Sequence, residues 1–433
     1  MSATSSKDSR EQARVALCVV TILLLGSIIY SNSLQGPFVL DDKSGIERNP
    51  AIRHLWPPEW LRVHRPLAVL TLAMNYSAHG LSVRGYHVVN TLIHLAAGLA
   101  LFGIVRQTLS LGDLRERYSH SRDWLALGTA LIWLAHPLQT QSVTYVIQRM
   151  ESLMGLFYLL TVLGFIRAQQ AGKPILFYAA SVMACALGMA TKEVMVTAPL
   201  MVLTFDRVYV ADSWRQILQA RRRYYAALFA TWIVMGFVGP WSGLSAAILP
   251  QESPASPSVT DIHAAVPAVT AASRAAASSS AEHEPPPPLT PLSYALSQPG
   301  VICHYLKRTV IPTGLCLDLW WPIATTPSEI IPPAILVVTL LIVTLRALFK
   351  YPRWGFPGWW FFLILAPTST VVPIKDLAFE HRMYLSLAGP VVLFVIGGYE
   401  LLRRWKLTSA GIWLYGCVPI VVLILSALTY QRN

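Results

Sequence analysis

Charged residues are scarce in this sequence, and that scarcity excludes an ordinary soluble domain. Only 13% of the 433 residues are charged, while 54% are hydrophobic; a soluble domain carries about a quarter charged residues. Acidic residues are the scarcer sign, with 22 Asp and Glu against 34 Lys and Arg. The composition indicates a polytopic membrane protein, and we attribute the net charge of +12 to orienting loops and lipid headgroups rather than to nucleic acid.

Cysteine patterns typical of metal or redox chemistry are also missing. The five cysteines form no CxxC pair and no zinc spacing. Three of them lie in apolar runs, where cysteine behaves as a small hydrophobic residue. Cys303 and Cys316 share one outer segment and could pair, although their spacing does not decide this. No dedicated cage of His and Asp residues is visible in the sequence either, so no required cofactor is predicted.

Long apolar runs predict an all-α membrane protein with about eleven transmembrane helices, since about 20 apolar residues cross a bilayer. The first run is interpreted as a retained span, because no clear small-x-small cleavage site follows it. Residues 66–79 are predicted to form an interfacial helix. The eleven runs are 15–30, 87–108, 124–136, 152–167, 174–190, 193–210, 224–247, 332–348, 356–368, 388–402 and 411–429.

Basic residues fall in alternate loops, which predicts a cytoplasmic N-terminal tail (1–14) and a C-terminus outside. The predicted transmembrane domain begins with 15–250 and includes a first outer loop at 31–86. An Ala/Ser/Pro-rich outer insert at 251–291 is expected to be disordered. The remaining outer loops and helices occupy 292–430.

The outer side collects the unusual polar groups, and the first of them is a pair of adjacent carboxylates in "GPFVLDD". Charges at membrane depth are functional candidates, and Arg and Lys at headgroup level are natural partners of phosphate. The candidates are Asp41, Asp42, Glu47, Arg149, Glu151, Lys192, Glu193, His304, Lys307, Arg308, Asp318, Lys375, Asp376, Glu380, His381, Arg382 and Tyr384.

Structural interpretations compete with these functional ones. Arg149 with Glu151, and Lys192 with Glu193, could be boundary charges or ion pairs. The lone histidines His87 and His94 are interpreted as packed polar groups rather than metal ligands. "AHPLQ" could be only a helix stop, and the Asp41–Asp42 pair could cap a helix that begins near residue 43.

The same carboxylates support a chemical hypothesis. One of them could take a proton from an acceptor hydroxyl while the other orients the site or binds a metal. Cationic side chains would then stabilise the departing phosphate of a polyprenyl-phosphate sugar. A Mg²⁺ or Mn²⁺ ion on Asp41 and Asp42 stays open, because oxygen ligands suit both ions.

Six blocks of sequence resemble the TMTC family, the transmembrane and tetratricopeptide-repeat O-mannosyltransferase-like proteins, and they occur in the family's order. Apart from the insert at about 251–291, they extend over nearly the whole chain. The blocks are "NSLQGPFVLDD…IERNPAIRHLW", "RPLAVLTLAMNYSAHGLSVRGYHVVNTLIH", "LAHPLQTQSVTYVIQRMESLMGLFYLL", "TKEVMVTAPLMVLTFD", "VIPTGLCLDLWWP" and "PTSTVVPIKDLAFEHRMYLSLAG".

This resemblance implies a GT-C-type glycosyltransferase fold with its active site on the lumenal or periplasmic face. It implies a polyprenyl- or dolichyl-phosphate sugar donor, mannose foremost, and Ser/Thr hydroxyls of an acceptor protein. The family's acidic motif falls on Asp41, the expected base, with Asp42 as the alternate. Lipid-phosphate or sugar binding is expected of the matched residues Arg149, Lys192, Glu193, Glu380, His381, Arg382 and Tyr384.

Arg65 and His136 lie in matched blocks and are expected to be acceptor-binding or structural. The family carries tetratricopeptide repeats after its last span, so the resemblance places the start of such a region at 431–433. We expect a bacterial member in the cytoplasmic membrane, or the endoplasmic reticulum membrane in a eukaryote. A transporter or flippase, and a non-catalytic scaffold, are the alternatives; charges at the outer ends rather than along the spans favour surface chemistry.

Overall fold

The computed structural model describes residues 2–238, 289–370, 376–404 and 409–433. Within those ranges every regular element is helical, which confirms the all-α prediction. The predicted disordered insert lies outside the described residues up to position 288, and so do the end of the run 224–247 and Lys375.

Thirteen longer helices occupy the described ranges, and short helical turns connect several of them. They are α1 (Ser2–Ile29), α2 (Pro66–His79), α3 (Val83–Thr108), α4 (Arg122–Leu134), α5 (Arg149–Ala168), α6 (Pro174–Met189), α7 (Ala198–Tyr209), α8 (Trp214–Val238), α9 (Pro291–Val310), α10 (Pro327–Lys350), α11 (Pro352–Leu365), α12 (Ala388–Arg404) and α13 (Ala410–Arg432).

Each of the eleven predicted apolar runs overlaps one of these helices, and α2 occupies the predicted interfacial segment 66–79. Five helices in the described part of the chain are long and apolar enough to cross a membrane, or six if the bent pair Glu380–Ser386 and Ala388–Arg404 forms one span. The chain is thus a multi-pass membrane protein. Helices α4 and α7 have 13 and 12 residues, fewer than the about 20 that span a bilayer, so the count of eleven spans stays a prediction.

Helix α3 lies at the centre of the bundle and packs against α1, α4 and α5. Small residues allow close approach where helices cross. At Gly164 of α5, an added Cβ would lie 3.1 Å from the carbonyl oxygen of Phe177 in α6 and 3.0 Å from the side chain of Ser181. Glycine is therefore required for α5 and α6 to pack at this distance.

The two ends of the bundle differ in chemistry. At the end that we call the basic end, Arg106 pairs with Asp123 at 2.8 Å, and Arg117 pairs with Glu400. The other end, called the loop end, carries the first outer loop and the segments at 136–151, 192–193 and 376–384. Helix α3 has 26 residues and rises about 1.5 Å per residue, so the two ends are about 39 Å apart.

Candidate active site at the loop end

Asp42 links the first outer loop to the segment just before α5 through hydrogen bonds. Its Oδ1 accepts a hydrogen bond from the backbone N–H of Ile147 at 2.7 Å, and its Oδ2 accepts one from Val39 at 3.1 Å. The side chain is fully buried. Asp42 does precede the helical turn Lys43–Glu47, but it makes no side-chain capping bond there. The capping interpretation of the acidic pair is therefore wrong.

The two adjacent carboxylates occupy different environments. Burial raises the pKa of Asp42 to about 6, and the backbone N–H groups of Val39 and Ile147 partly offset that increase. Asp41 is exposed, and its backbone N–H donates to the Tyr145 hydroxyl at 2.9 Å. Burial, followed by the nearby carboxylates, raises the pKa of Tyr145, which keeps this hydroxyl neutral. One carboxylate thus holds the loop while the other faces outward.

Arg65 forms a bidentate ion pair with Glu193. Nε and Nη2 donate to Oε1 at 3.2 Å, and Nη2 donates to Oε2 at 3.0 Å, while His64 lies 2.9 Å from Oε1. Burial alone would raise the pKa of Glu193, but His64 and Arg65 together hold it well below its usual range. Arg65 adopts a left-handed backbone with φ of 62°, a conformation that stores strain and concentrates at functional sites.

Lys192 forms a buried ion pair with Glu151 of α5. The sequence interpretation paired Lys192 with Glu193, and Arg149 with Glu151; the structure corrects both pairings. The carboxylates at 151 and 193 each face a cation that is distant in the chain. Buried charges persist only when such partners compensate them.

Arg149 is fully buried and has only neutral partners. Its Nε donates to Oδ1 of Asn90 at 2.6 Å, and its Nη atoms donate to the carbonyl oxygens of Thr71 and Tyr86 at 3.1 and 3.0 Å. These bonds tie the start of α5 to α2 and α3. The guanidinium is therefore placed to hold three helices together.

The segment 380–384 approaches the same region from the other half of the chain. Glu380 pairs with Arg432, and Arg382 donates to the carbonyl oxygens of Leu377 and Asp376 at 2.9 Å each. The hydroxyl of Tyr384 bonds to Nδ1 of His94 at 2.9 Å. These contacts fix the loop that carries His381.

His381 has an unsatisfied ring nitrogen inside this cluster. Its backbone N–H donates to Gln141 Oε1 at 2.6 Å, and its ring stacks on Phe379. Nδ1 is buried without a hydrogen-bond partner. The charges of Lys192, Arg382 and Arg65 all act on this ring. We call Arg65, Lys192, His381 and Arg382 the cation cluster.

One short stretch, Tyr145–Glu151, contacts both parts of the site, and we call it the bridging segment. Tyr145 and Ile147 bind the part of the first outer loop that carries Asp41 and Asp42, which we call the acidic loop. Arg149 binds α2 and α3, and Glu151 binds Lys192. Met150 accepts from Nη1 of Arg65 at 2.6 Å. The acidic loop and the cation cluster are thus organised by the same seven residues.

His136 is buried and bonds to backbone groups. Its Nδ1 accepts from the backbone N–H of Leu138 at 3.2 Å, and its Nε2 faces the carbonyl oxygen of Thr309 at 3.1 Å. His87 and His94 bond to the carbonyl oxygens of Gly36 and Leu134. These contacts agree with packed polar groups.

Sequence reasoning missed the residues that support the site. Asn90, Gln141, Tyr145 and His64 each contact a predicted site residue. Asn90 had a usable signal, because it is a polar residue within an apolar helical run and must find a partner there. The others had none.

Metal binding at the acidic pair meets a geometric limit. Both oxygens of Asp42 already accept backbone hydrogen bonds, so Asp41, whose side chain bonds to Tyr145, is the carboxylate of the pair with more coordination capacity left. No group of three His, Cys, Asp or Glu side chains converges within the described ranges. The absence of a required cofactor stays a prediction.

No family model matches the chain. Among curated proteins, it is 28% identical over 206 residues to the protein O-mannosyl-transferase Tmtc2 of Drosophila melanogaster, which is 42% of this chain and 21% of that protein. It is 30% identical over 170 residues to human protein O-mannosyl-transferase TMTC4, which is 34% of this chain and 23% of that one. The matched segments thus span about a fifth of these relatives.

Among solved structures, ArnT from Cupriavidus metallidurans bound to undecaprenyl phosphate aligns with 95% of this chain and 77% of its own, at 16% identity and a TM-score of 0.39. The apo form of that protein aligns with a TM-score of 0.36. The curated matches carry the same family name that the six sequence blocks indicated. The chain is therefore similar to the TMTC protein O-mannosyl-transferases, as its motifs predicted.

Proposed function

We propose that the chain is a membrane-embedded, inverting glycosyltransferase of the GT-C type that acts at the loop end. It transfers a sugar, mannose foremost, from a polyprenyl- or dolichyl-phosphate donor to Ser/Thr hydroxyls of an acceptor protein. The observation that carries this proposal is that the two adjacent carboxylates differ in environment: Asp41 is exposed, whereas Asp42 is buried and hydrogen-bonded. Similarity to the TMTC proteins supports the donor and acceptor classes.

In this mechanism Asp41 is the general base. The acceptor oxygen attacks the anomeric carbon from the face opposite the lipid phosphate, and its proton passes to the Asp41 carboxylate. The bond between the anomeric carbon and the phosphate oxygen breaks, and its electron pair leaves with the phosphate. A positioned base of this kind contributes about 10²–10⁴-fold.

Asp42 is a positioning residue in the same mechanism. Its bonds to Val39 and Ile147 hold the backbone that carries Asp41. Leu40, the residue before Asp41, has a left-handed φ of 43°. A strained backbone of this kind persists only when the surrounding contacts hold it in place. Without those contacts, the exposed carboxylate would lose its orientation.

Three members of the cation cluster, Arg65, Lys192 and His381, form the proposed site for the donor phosphate. Lys192 and Arg65 supply positive charge at the loop end, and Nδ1 of His381 is a buried nitrogen free to bond to a ligand oxygen. Their acidic partners Glu151 and Glu193 balance the charge while no donor is bound. Cations placed in this way stabilise the charge that develops on the leaving phosphate.

Arg149, Arg382, Glu380 and Tyr384 are assigned positioning roles, since each is buried among protein partners. Arg149 holds the bridging segment, and the others hold the loop of His381. The proposed partners are the lipid-linked sugar, an acceptor protein and membrane lipids, in a bacterial cytoplasmic membrane or the endoplasmic reticulum membrane. No cofactor is required in this mechanism.

Sugar transfer from radiolabelled polyprenyl-phosphate mannose to a Ser/Thr-rich peptide tests the proposal with purified protein. Asp41→Asn should lower turnover about a hundredfold or more without changing thermal stability, because it removes the base alone. Asp42→Asn should lower turnover and alter stability together. The matched control is Glu59→Gln, which removes an exposed carboxylate from the same loop and should leave turnover unchanged.

Two results would refute the assignment. Equal turnover in the wild type and Asp41→Asn would remove Asp41 as the base. A folded wild type that binds polyprenyl phosphate but transfers no sugar from any lipid-linked donor tested would favour a transporter or a scaffold.

A further inference from the structure

A cavity lies at the basic end, far from the first outer loop. Its volume is about 490 Å³, within the range of about 300–1,000 Å³ typical of ligand pockets. Helices α3, α7, α11 and α12 form its walls. The side chains that they place against the cavity are mainly apolar and include Leu101, Phe205, Trp360 and Val392. The interior therefore suits a hydrocarbon chain.

The lining carries positive charge at the helix ends. Arg117, Lys350 and Arg353 line the cavity, and its described lining includes no Asp or Glu. Arg117 pairs with Glu400, and Arg353 pairs with Asp113 at 2.6 Å, but both acids lie outside this lining. The charge on the lining thus favours an anionic head.

Lys350 differs from the two arginines. It is exposed at the last residue of α10, and its ammonium lies 5.5 Å from the ring centroid of Tyr351. No acidic side chain among the described residues lies close enough to Lys350 to form an ion pair with it. Its charge is therefore available to a ligand.

Aromatic hydroxyls complete the charged side of the cavity. Tyr118, Tyr209 and Tyr351 line it together with the three cations. Tyrosine and basic residues at helix ends are typical of the headgroup level of a membrane. A cavity with an apolar interior and this rim fits a membrane phospholipid better than a soluble anion.

We infer that this cavity binds an anionic phospholipid of the surrounding leaflet, with an acyl chain among α3, α7, α11 and α12 and a phosphate head beside Lys350. The site is distinct from the proposed donor site, because the length of α3 separates the two ends by about 39 Å. Its occupant therefore goes beyond the proposed sugar transfer. A lipid without net charge would gain less from the Lys350 ammonium.

Native mass spectrometry of the full chain, delipidated in detergent, tests this inference. The probes are dioleoyl phosphatidylglycerol, dioleoyl phosphatidylcholine and inorganic phosphate. We expect the phosphatidylglycerol to bind more tightly than the phosphatidylcholine, and inorganic phosphate to bind to neither the wild type nor the variants. Equal retention of the two lipids, or binding of phosphate alone, would overturn the inference.

Two variants and one control locate the site. Lys350→Gln should weaken phosphatidylglycerol binding about fivefold, the contribution of one basic residue near an anionic headgroup. Arg346→Gln is the control, because Arg346 is exposed one turn earlier on α10 and does not line the cavity. Val208→Trp fills the cavity from α7 and should abolish that binding. Equal effects of Lys350→Gln and Arg346→Gln, or full binding by a folded Val208→Trp protein, would refute the assignment.

Discussion

Asp42 should make the stability of the folded protein depend on pH in a predictable direction. Burial raises its pKa from 3.8 to about 6, so the folded state binds this proton more tightly than the unfolded chain does. The stabilisation by the protonated form is complete below pH 4 and is lost as the pH rises through 6. A shift of about two units corresponds to about 3 kcal/mol.

Asp42→Asn removes this titration while keeping the shape of the protonated side chain. At pH 4 the variant should be less stable than the wild type by about one hydrogen bond, about 1 kcal/mol, because its amide NH2 cannot accept from the second of the two backbone N–H groups. Between pH 4 and pH 7 the variant should gain about 3 kcal/mol relative to the wild type. Unfolding with sodium dodecyl sulfate in mixed micelles, followed by tryptophan fluorescence, measures this difference.

Asp41→Asn is the control for that experiment, because Asp41 is exposed. Its stability profile should follow the wild type throughout the pH range. If Asp42→Asn also follows the wild type from pH 4 to pH 7, the buried carboxylate is not the titrating group. The reasoning from its burial would then be refuted.

Three further substitutions test the supports of the site. Arg149→Met removes the three hydrogen bonds that the guanidinium donates, so we expect a loss of about 3 kcal/mol in unfolding free energy and a parallel loss of transfer. Lys192→Met leaves Glu151 buried and uncompensated and should lose about 3–5 kcal/mol, most of which the additional change Glu151→Leu should restore. Gly155→Ala places a Cβ 2.5 Å from Cε1 of Tyr384 and should lose about 1–3 kcal/mol. The same micellar unfolding experiment measures all three.

Each of these expectations has its own control. Gly103→Ala meets only the flexible side chain of Leu163 at 3.3 Å and should not destabilise, since alanine favours a helix over glycine. A similar loss at both glycines would point to the backbone rather than to the clash. A stable and active Arg149→Met protein would contradict the supporting role of this arginine, and a double variant at 192 and 151 no better than Lys192→Met would contradict the charge argument.

Most of the helices could be predicted from the sequence because hydrophobic runs depend only on local composition. Every run from 15–30 to 411–429 overlaps a helix, whereas α9 lies in a segment predicted as an outer loop. The number of crossings did not follow, because α4, α7 and α11 are too short to span a bilayer unaided. Whether such helices cross depends on tilt and packing, which the composition of one segment does not encode.

The candidate residues could be named from sequence, but their partners could not. Asp41 and Asp42 are neighbours in the chain, and their difference arises from Ile147, which is 105 residues from Asp42. Lys192 and Glu193 are also adjacent, yet they bind Glu151 and Arg65 respectively. Local sequence reports which charges are near a membrane boundary, whereas tertiary packing decides which of them meet.

The bridging segment has a consequence for local unfolding. Amide hydrogens exchange with solvent when a cooperative unit opens, and residues of one unit share one opening free energy. The N–H of Ile147 is held by Asp42, and Glu151, four residues later, is held by Lys192. Opening of this stretch would release the acidic loop and the cation cluster in the same event. Amide exchange at Ile147 should therefore report the integrity of both halves of the site with one protection factor.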